Sequence, residues 1–269
     1  RRKAGLLDPW HIQYVRWLKN AVSGNLGMSY TYNVPVKTLI GERAVNTFIL
    51  SLLSLILTYC IAIPLGMLAG RYQNSFLDKF VTFYNYVSYA IPTFVLSLIM
   101  IWFFGYTLGW FPTTGSVTAG LHTGTFGHIL DRVYHIILPA ITYALLGTTW
   151  IVQYLRNEVI DAKTADYVKT ARSKGVPMRK VYTKHIFRNS LLPIAAFFGF
   201  QISGLLGGAV IAESIFNYQG MGKFFIESIL TRDYSVVTTL ILLYGLLFLF
   251  GSLLSDITMA IVDPRIRIE

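Results

Sequence analysis

Acid–base catalysis needs carboxylates or histidines set against a partner, and this sequence does not arrange them so. Glu213 and Asp256 each stand alone at the border of a long apolar run. His11, His122, His128, His135 and His185 show no metal-ligand spacing. No nucleophile sits beside a base, and no Gly-rich loop closes on Gly-Lys-Ser/Thr to cradle a phosphate. Cys60 is the only cysteine, so no intrachain disulfide forms, and it reads as a small buried apolar residue. What remains are isolated polar groups within apolar runs. Gln153 and Gln201 face either a neighbouring helix or a pathway, and Glu213 either gates one or caps a short re-entrant helix. Asp256 reads as an interfacial residue paired with a nearby base. These are positions for passage or packing, not for bond making.

The elements that hold them follow from the distribution of charge. The 269 residues are 54% hydrophobic and 13% charged, against roughly 25% charged in soluble domains. No Asp, Glu, Lys or Arg occurs in the 27 residues between Arg43 and Arg71. Uncharged stretches also separate Lys79 from Asp131, Arg132 from Arg156, Arg188 from Glu213 and Asp233 from Asp256. A helix crossing a bilayer needs about 20 mostly apolar residues, and lipid leaves no other partner for its backbone amides. The reading is an all-α membrane protein, a polytopic bundle with five transmembrane helices near 45–69, 81–105, 136–155, 191–212 and 236–260. Pro64, Pro92, Pro139 and Pro193 lie in or at the ends of these runs, either as kinks lining a pathway or as prolines that membrane helices simply tolerate. Gly66 with Gly70 and Gly204 with Gly208 allow close helix approach.

The net charge of +10 does not indicate nucleic acid, because the positives lie between spans rather than on one folded face. Nine of them fall in the 156–190 loop, which places that loop and the C-terminus in the cytoplasm of a multi-pass cell-membrane protein. Residues 1–44 are then an external segment. Within it Trp10, Tyr14, Trp17, Leu18 and Ala21 recur at helical spacing opposite Gln13, Arg16, Lys19 and Asn20, the pattern of a helix lying in the membrane interface. The transmembrane domain covers 45–262, including the 156–190 loop, and 263–269 form a cytoplasmic tail.

The 156–190 loop carries the most specific local pattern. Thr164 is the expected N-cap of a short helix over about 165–174, with Asp166 at its positive end. Gly175 suits a left-handed C-terminal cap, and Pro177 opens the next helix. Tyr167, Thr170, Ala171 and Lys174 share a face by three- and four-residue spacing, a surface suited to a groove on another protein.

The run Asp166-Tyr-Val-Lys-Thr-Ala-Arg-Ser-Lys-Gly175, followed by His185-Ile-Phe-Arg-Asn-Ser-Leu-Leu-Pro193, resembles the cytoplasmic coupling loop of ABC importer permeases of the oligopeptide/dipeptide/nickel branch. Gly24-Asn-Leu-Gly27 before Pro35, Ile91-Pro-Thr-Phe94, Leu108-Gly-Trp-Phe-Pro112, His135-Ile-Ile-Leu-Pro139, Glu213-Ser-Ile-Phe-Asn-Tyr-Gln-Gly-Met-Gly222, Arg232-Asp-Tyr-Ser and Asp263-Pro-Arg-Ile-Arg267 follow in the branch's order. They are closest to the first of its two permease subunits. Lys169-Thr170-Ala171 replace the Glu-Ala-Ala of the general pattern. The resemblance implies a type I importer fold and a branch norm of six spans, so the first is expected to be absent here. It implies a pairing with a second homologous permease, two cytoplasmic ATPases that bind ATP and Mg, and an extracellular or periplasmic binding protein that delivers peptide. This chain itself would hold no cofactor and catalyse nothing. Asp166, Tyr167, Thr170, Ala171, Lys174 and Gly175 would form the ATPase-coupling element, with Gln201 and Glu213 as pathway or gate residues. A nickel-chelate or other small-solute permease, and a non-transporting scaffold or receptor subunit, are the alternatives.

Overall fold

Eleven helices carry the chain in the computed structural model, which describes residues 9–118, 120, 124, 126–206 and 210–262. They are α1 Trp10–Val22, α2 Val36–Arg71, α3 Phe76–Ala90, α4 Thr93–Met100, α5 Phe126–Ala162, α6 Asp166–Ser173, α7 Met178–Lys180, α8 Phe187–Ser203, α9 Val210–Ile215, α10 Met221–Leu230 and α11 Tyr234–Val262. α4 continues as a wide π-helical stretch over Ile101–Thr107, α7 does the same over Val181–Ile186, and α8 ends in a 3₁₀ turn at Gly204–Leu206. Among the described residues there is no strand, only an isolated bridge between Met28 and Pro35.

Three helices are long and apolar enough to cross a membrane unaided: α2, α5 and α11. The expected second span is instead a bent pair. α3 and the α4 stretch meet at 105°. Ile91 is extended, at φ −84° and ψ 119°, as the residue before a proline prefers, and Pro92 then caps α4. The pair still crosses once. α3 begins beside Arg156, and the turn after α4 reaches Tyr134, whose hydroxyl donates to Trp110 O. Those α5 residues are 22 positions apart, about 33 Å of helix at about 1.5 Å per residue. The expected fourth span holds α8, its 3₁₀ turn and α9, with 207–209 outside the described residues. Among the described residues, three unbroken helices and the bent pair taken as one span account for four of the five expected crossings.

Pro193 lies within α8, Cys60 is exposed on α2 rather than buried as expected, and Pro64 and Pro139 interrupt nothing, since α2 and α5 run straight through them. These two helices are each other's main neighbour, and glycine lets them touch. A Cβ on Gly70 would meet Val159 Cβ at 2.7 Å and Arg156 O at 2.8 Å, and one on Gly66 would meet Leu155 Cβ and Val152 O at 3.0 Å. The expected close approach at this Gly-xxx-Gly pair is thus seen. At Gly204 it is not: a Cβ there would meet nothing within 4 Å, and Gly208 lies outside the described residues. α5 is the central helix, with 56% of its apolar window buried in the chain, against 28% for α2 and 22% for α11.

The bundle has two distinct ends. At one, Lys163 Nζ donates to Arg71 O at 3.1 Å, joining the C-terminal ends of α5 and α2 beside α6 and α7. At the other, Asn46 Nδ2 donates to Gln219 O at 2.7 Å and Gly115 N–H to Phe216 O at 2.9 Å, joining α2 and the loop before α5 to the turn between α9 and α10. α11 starts at this second end, where Thr239 Oγ1 donates to Leu26 O, and runs back along α8. α1 buries none of its residues, and Trp10 is 81% exposed. The 263–269 tail lies outside the described residues.

Candidate functional site

α6 is seated by a buried stripe and closed by its backbone. Val168 and Ala171, one turn apart, are buried against Ala69, Val159, Ala162, Val181 and Ile186. Asp166, Tyr167, Thr170 and Lys174 are exposed on the outward side, with Lys169 and Arg172. Ala171 therefore departs from the outward face expected for it, because the inward stripe needs a small residue beside Val168. The C-terminus is a Schellman closure. Gly175 N–H donates to Arg172 O at 2.9 Å and Val176 N–H to Ala171 O at 3.2 Å. Gly175 has φ +73°, and Val176 packs on the same cluster as Ala171. Thr164 is not the cap. Ala165 takes that position with no side-chain hydrogen bond, and the Thr164 hydroxyl instead donates to Asp161 O at 2.9 Å, ending α5.

The platform under α6 is clamped by one buried ion pair. Arg156 Nε and Nη2 donate to the two Asp78 oxygens at 2.5 and 2.9 Å, and Asp78 also accepts from Asn74 N–H at 2.8 Å. A bidentate guanidinium–carboxylate pair fixes orientation as well as distance. It ties the first turn of α3 to α5, six residues before α5 ends. Sequence reading missed it, although two opposite charges flanking uncharged runs were the available signal.

Between the ends lies a cleft of about 370 Å³. Ser51, Ser54, Leu55 and Thr58 of α2 line it on one side, Tyr143, Leu146 and Gly147 of α5 on another, with Thr93 at the start of α4. Gln201 of α8 and Gly204 and Leu205 of the 3₁₀ turn complete it. Gln201, expected at a neighbouring helix or a pathway, lies on the cleft. The α2 hydroxyls were missed by sequence reading. Thr47, Ser51, Ser54 and Thr58 follow spacings of four, three and four, one helix face in an apolar span.

Glu213 does not share that cleft. It is 0% exposed. Its carboxylate accepts from Thr47 Oγ1 at 2.8 Å and from Lys223 N–H at 3.0 Å, in the first turn of α10. Thr47 Oγ1 in turn accepts from Met221 N–H at 2.7 Å. The carboxylate lies against Gly220 where any Cβ would stand. Glu213 is a helix cap placed from another element, the capping role weighed for it from the sequence. Gln153 accepts from Asn85 Nδ2 at 3.4 Å, a helix-to-helix contact. Asp256 is exposed on α11, and the bases nearest to it in sequence, Arg265 and Arg267, lie outside the described residues.

A second carboxylate organises the end where α11 begins. Asp233 accepts from the Ser29 hydroxyl, from Thr31 N–H at 3.1 Å and from Val236 N–H at 3.4 Å. Burial acts to raise its carboxyl, but these donors and the Tyr30 N–H outweigh burial and hold it below the usual carboxylate range.

The profile of a family described as binding-protein-dependent transport system inner membrane component matches residues 62–268. The chain is 41% identical over 266 residues to the oligopeptide transport system permease protein AppB of Bacillus subtilis (strain 168), covering 98% of this chain and 83% of that protein. It is 30% identical to the glutathione transport system permease protein GsiC of Salmonella paratyphi A, covering 99% and 83%. Among solved structures it is similar to an inward-facing MetNI methionine ABC transporter chain, with TM-score 0.65 and 16% identity over 84% of this chain and 97% of that one. That likeness bears on the fold alone.

Proposed function

This chain belongs to the family of binding-protein-dependent transport system inner membrane components and is a permease subunit of an ABC importer, and on that premise we propose that its cargo is peptide. We propose further that it encloses half of the translocation pathway with a second permease of the same family. Two cytoplasmic ATPases would bind and hydrolyse ATP with Mg, and an external binding protein would deliver the peptide. The α6 end faces the cytoplasm in this reading. It gathers Arg71, Lys79, Arg156, Lys163, Arg172 and Lys174, and cytoplasmic loops are enriched in Lys and Arg. The C-terminal end of α11 then lies on the same side.

The observation that carries the reading is the seating of α6. An eight-residue helix is anchored by Val168 and Ala171, yet presents Asp166, Tyr167, Thr170 and Lys174 outward beyond the membrane-crossing helices. It follows directly on α5, which also walls the cleft at Tyr143 and Gly147. A rigid helix thus joins a surface for an ATPase to a cavity within the membrane region. ATP binding on a partner would act by favouring one facing of that cavity over the other.

The test is ATP hydrolysis by the assembled complex in lipid with its binding protein, comparing short peptides with nickel chelates. Stimulation by peptides supports the reading. Stimulation by the metal chelate alone keeps the machine and replaces the cargo.

A further inference from the structure

The cleft has a lining whose chemistry is narrower than its position requires. Six of its side chains are polar: Ser51, Ser54, Thr58, Thr93, Tyr143 and Gln201. None is a carboxylate, ammonium, guanidinium or imidazole. The neighbouring carboxylate, Glu213, is sealed away by Thr47 and the α10 amides, and the Asp78–Arg156 pair is closed on itself toward the α6 end.

Two of the hydroxyls are polarised in one sense. Ser54 Oγ donates to Leu50 O at 2.8 Å, and Thr58 Oγ1 donates to Ala144 O at 3.4 Å. With their protons committed, these oxygens have only lone pairs left for the cleft, from side chains set deep in its wall at 1% exposure for Ser54 and 6% for Thr58. They therefore suit N–H donors. Gln201, with an amide, offers both a donor and an acceptor from the opposite side. Ser51, Ser54 and Thr58 span seven positions, about 10 Å along α2, which is about three residues of extended chain.

We propose that the Ser51–Ser54–Thr58 ladder of α2, faced by Gln201, is a charge-neutral half-site that bonds the main chain of an extended peptide and does not read the charge of its side chains. The inference rests on the peptide-permease reading above. A peptide's backbone offers N–H and C=O groups at every residue, which this lining matches. A charged side chain finds no partner and no repulsion, and stays with the water of the cleft.

The experiment is uptake of Ala-Lys-Ala and Ala-Glu-Ala by the complete complex in proteoliposomes, with each variant's preference divided by that of the wild type so that selection by the binding protein cancels. Gln201→Glu changes one atom's identity and adds a negative charge. It is expected to shift the ratio at least tenfold in favour of the lysine peptide. Ser54→Asp should shift it in the same direction and guards against a folding failure in the first variant. A peptide methylated on its central backbone nitrogen should enter the wild type more slowly than its parent, and Ser54→Ala should lose that distinction. An unchanged ratio in both charge variants, with wild-type peptide uptake intact, overturns the half-site while leaving the permease reading in place. Absence of peptide uptake by the wild type, with another solute imported, overturns both.

Discussion

Gly175 offers a test in which backbone conformation is separated from contact. Its φ is +73°, and a Cβ built on it would meet nothing within 4 Å. A side chain there costs nothing sterically in this chain, so any penalty comes from the left-handed backbone. For an L-residue with a Cβ that penalty is about 1 kcal/mol for alanine and about 2 kcal/mol for β-branched valine. It falls on the Schellman closure, whose two bonds hold the end of α6 to Val176 and the inward cluster. At about 1.4 kcal/mol per tenfold, the ratio of seated to unseated α6 drops about fivefold for Gly175→Ala and about thirtyfold for Gly175→Val. Asparagine tolerates the left-handed region, and this chain already places Asn33, Asn74 and Asn217 there at φ 53°, 66° and 52°. Gly175→Asn should therefore behave almost as the wild type. The assay is peptide imported per ATP hydrolysed by the reconstituted complex, at matched amounts of inserted permease. The expected order is Gly, Asn, Ala, Val. An asparagine variant as defective as valine would sink the reasoning, because it would mean that the surface at 175 must be bare for a partner rather than that φ must be positive.

Three further outcomes follow from the same geometry. Gly70→Ala forces Val159 and the Arg156 carbonyl away and should destabilise the chain by about 1–3 kcal/mol, Gly66→Ala less, and Gly204→Ala not at all; unfolding in mixed micelles of rising SDS content ranks them, and a Gly204 effect equal to that of Gly70 would refute the packing account. Arg156→Met strands the buried Asp78 carboxylate, at a cost of about 3–5 kcal/mol, and adding Asp78→Asn should recover a large part of it, so a double-mutant cycle with no coupling between them contradicts the clamp. Asp233 is held below its unfolded value of about 3.9, so it contributes stability above about pH 4 that is lost as pH falls through the lower folded value; in thermal melts of the purified chain from pH 7 to pH 3, Asp233→Asn should be less stable than the wild type at neutral pH, with the difference shrinking toward the acid end.

What could be read from the sequence, and what could not, divides by the distance over which the deciding interaction acts. The crossings were legible because desolvation of a charge is a local cost that no partner choice evades, so the gaps from Arg43 to Arg71 and from Arg132 to Arg156 mark helices wherever they pack. Gly175 and Pro177 were legible for the same reason, since φ is a property of one residue. The four prolines were not. Pro64 and Pro139 lie in helices that pack on each other along their length, and the chain continues. Pro92 lies where α3 leaves its contacts with α5 and α4 takes up new ones with α9, and the chain turns by 105°. Nothing within four residues distinguishes these cases. Glu213 shows the limit most clearly. Its carboxylate is held by Thr47, 166 positions away, and by an amide ten positions on, with Gly220 giving it room. Any one of those residues reads as unremarkable alone. The stripe of Thr47, Ser51, Ser54 and Thr58 was in plain view as a period, but a period says only that the residues share a face. It took α5 and α8 closing on that face to show that Thr47 serves a buried cap while the next three line a cleft.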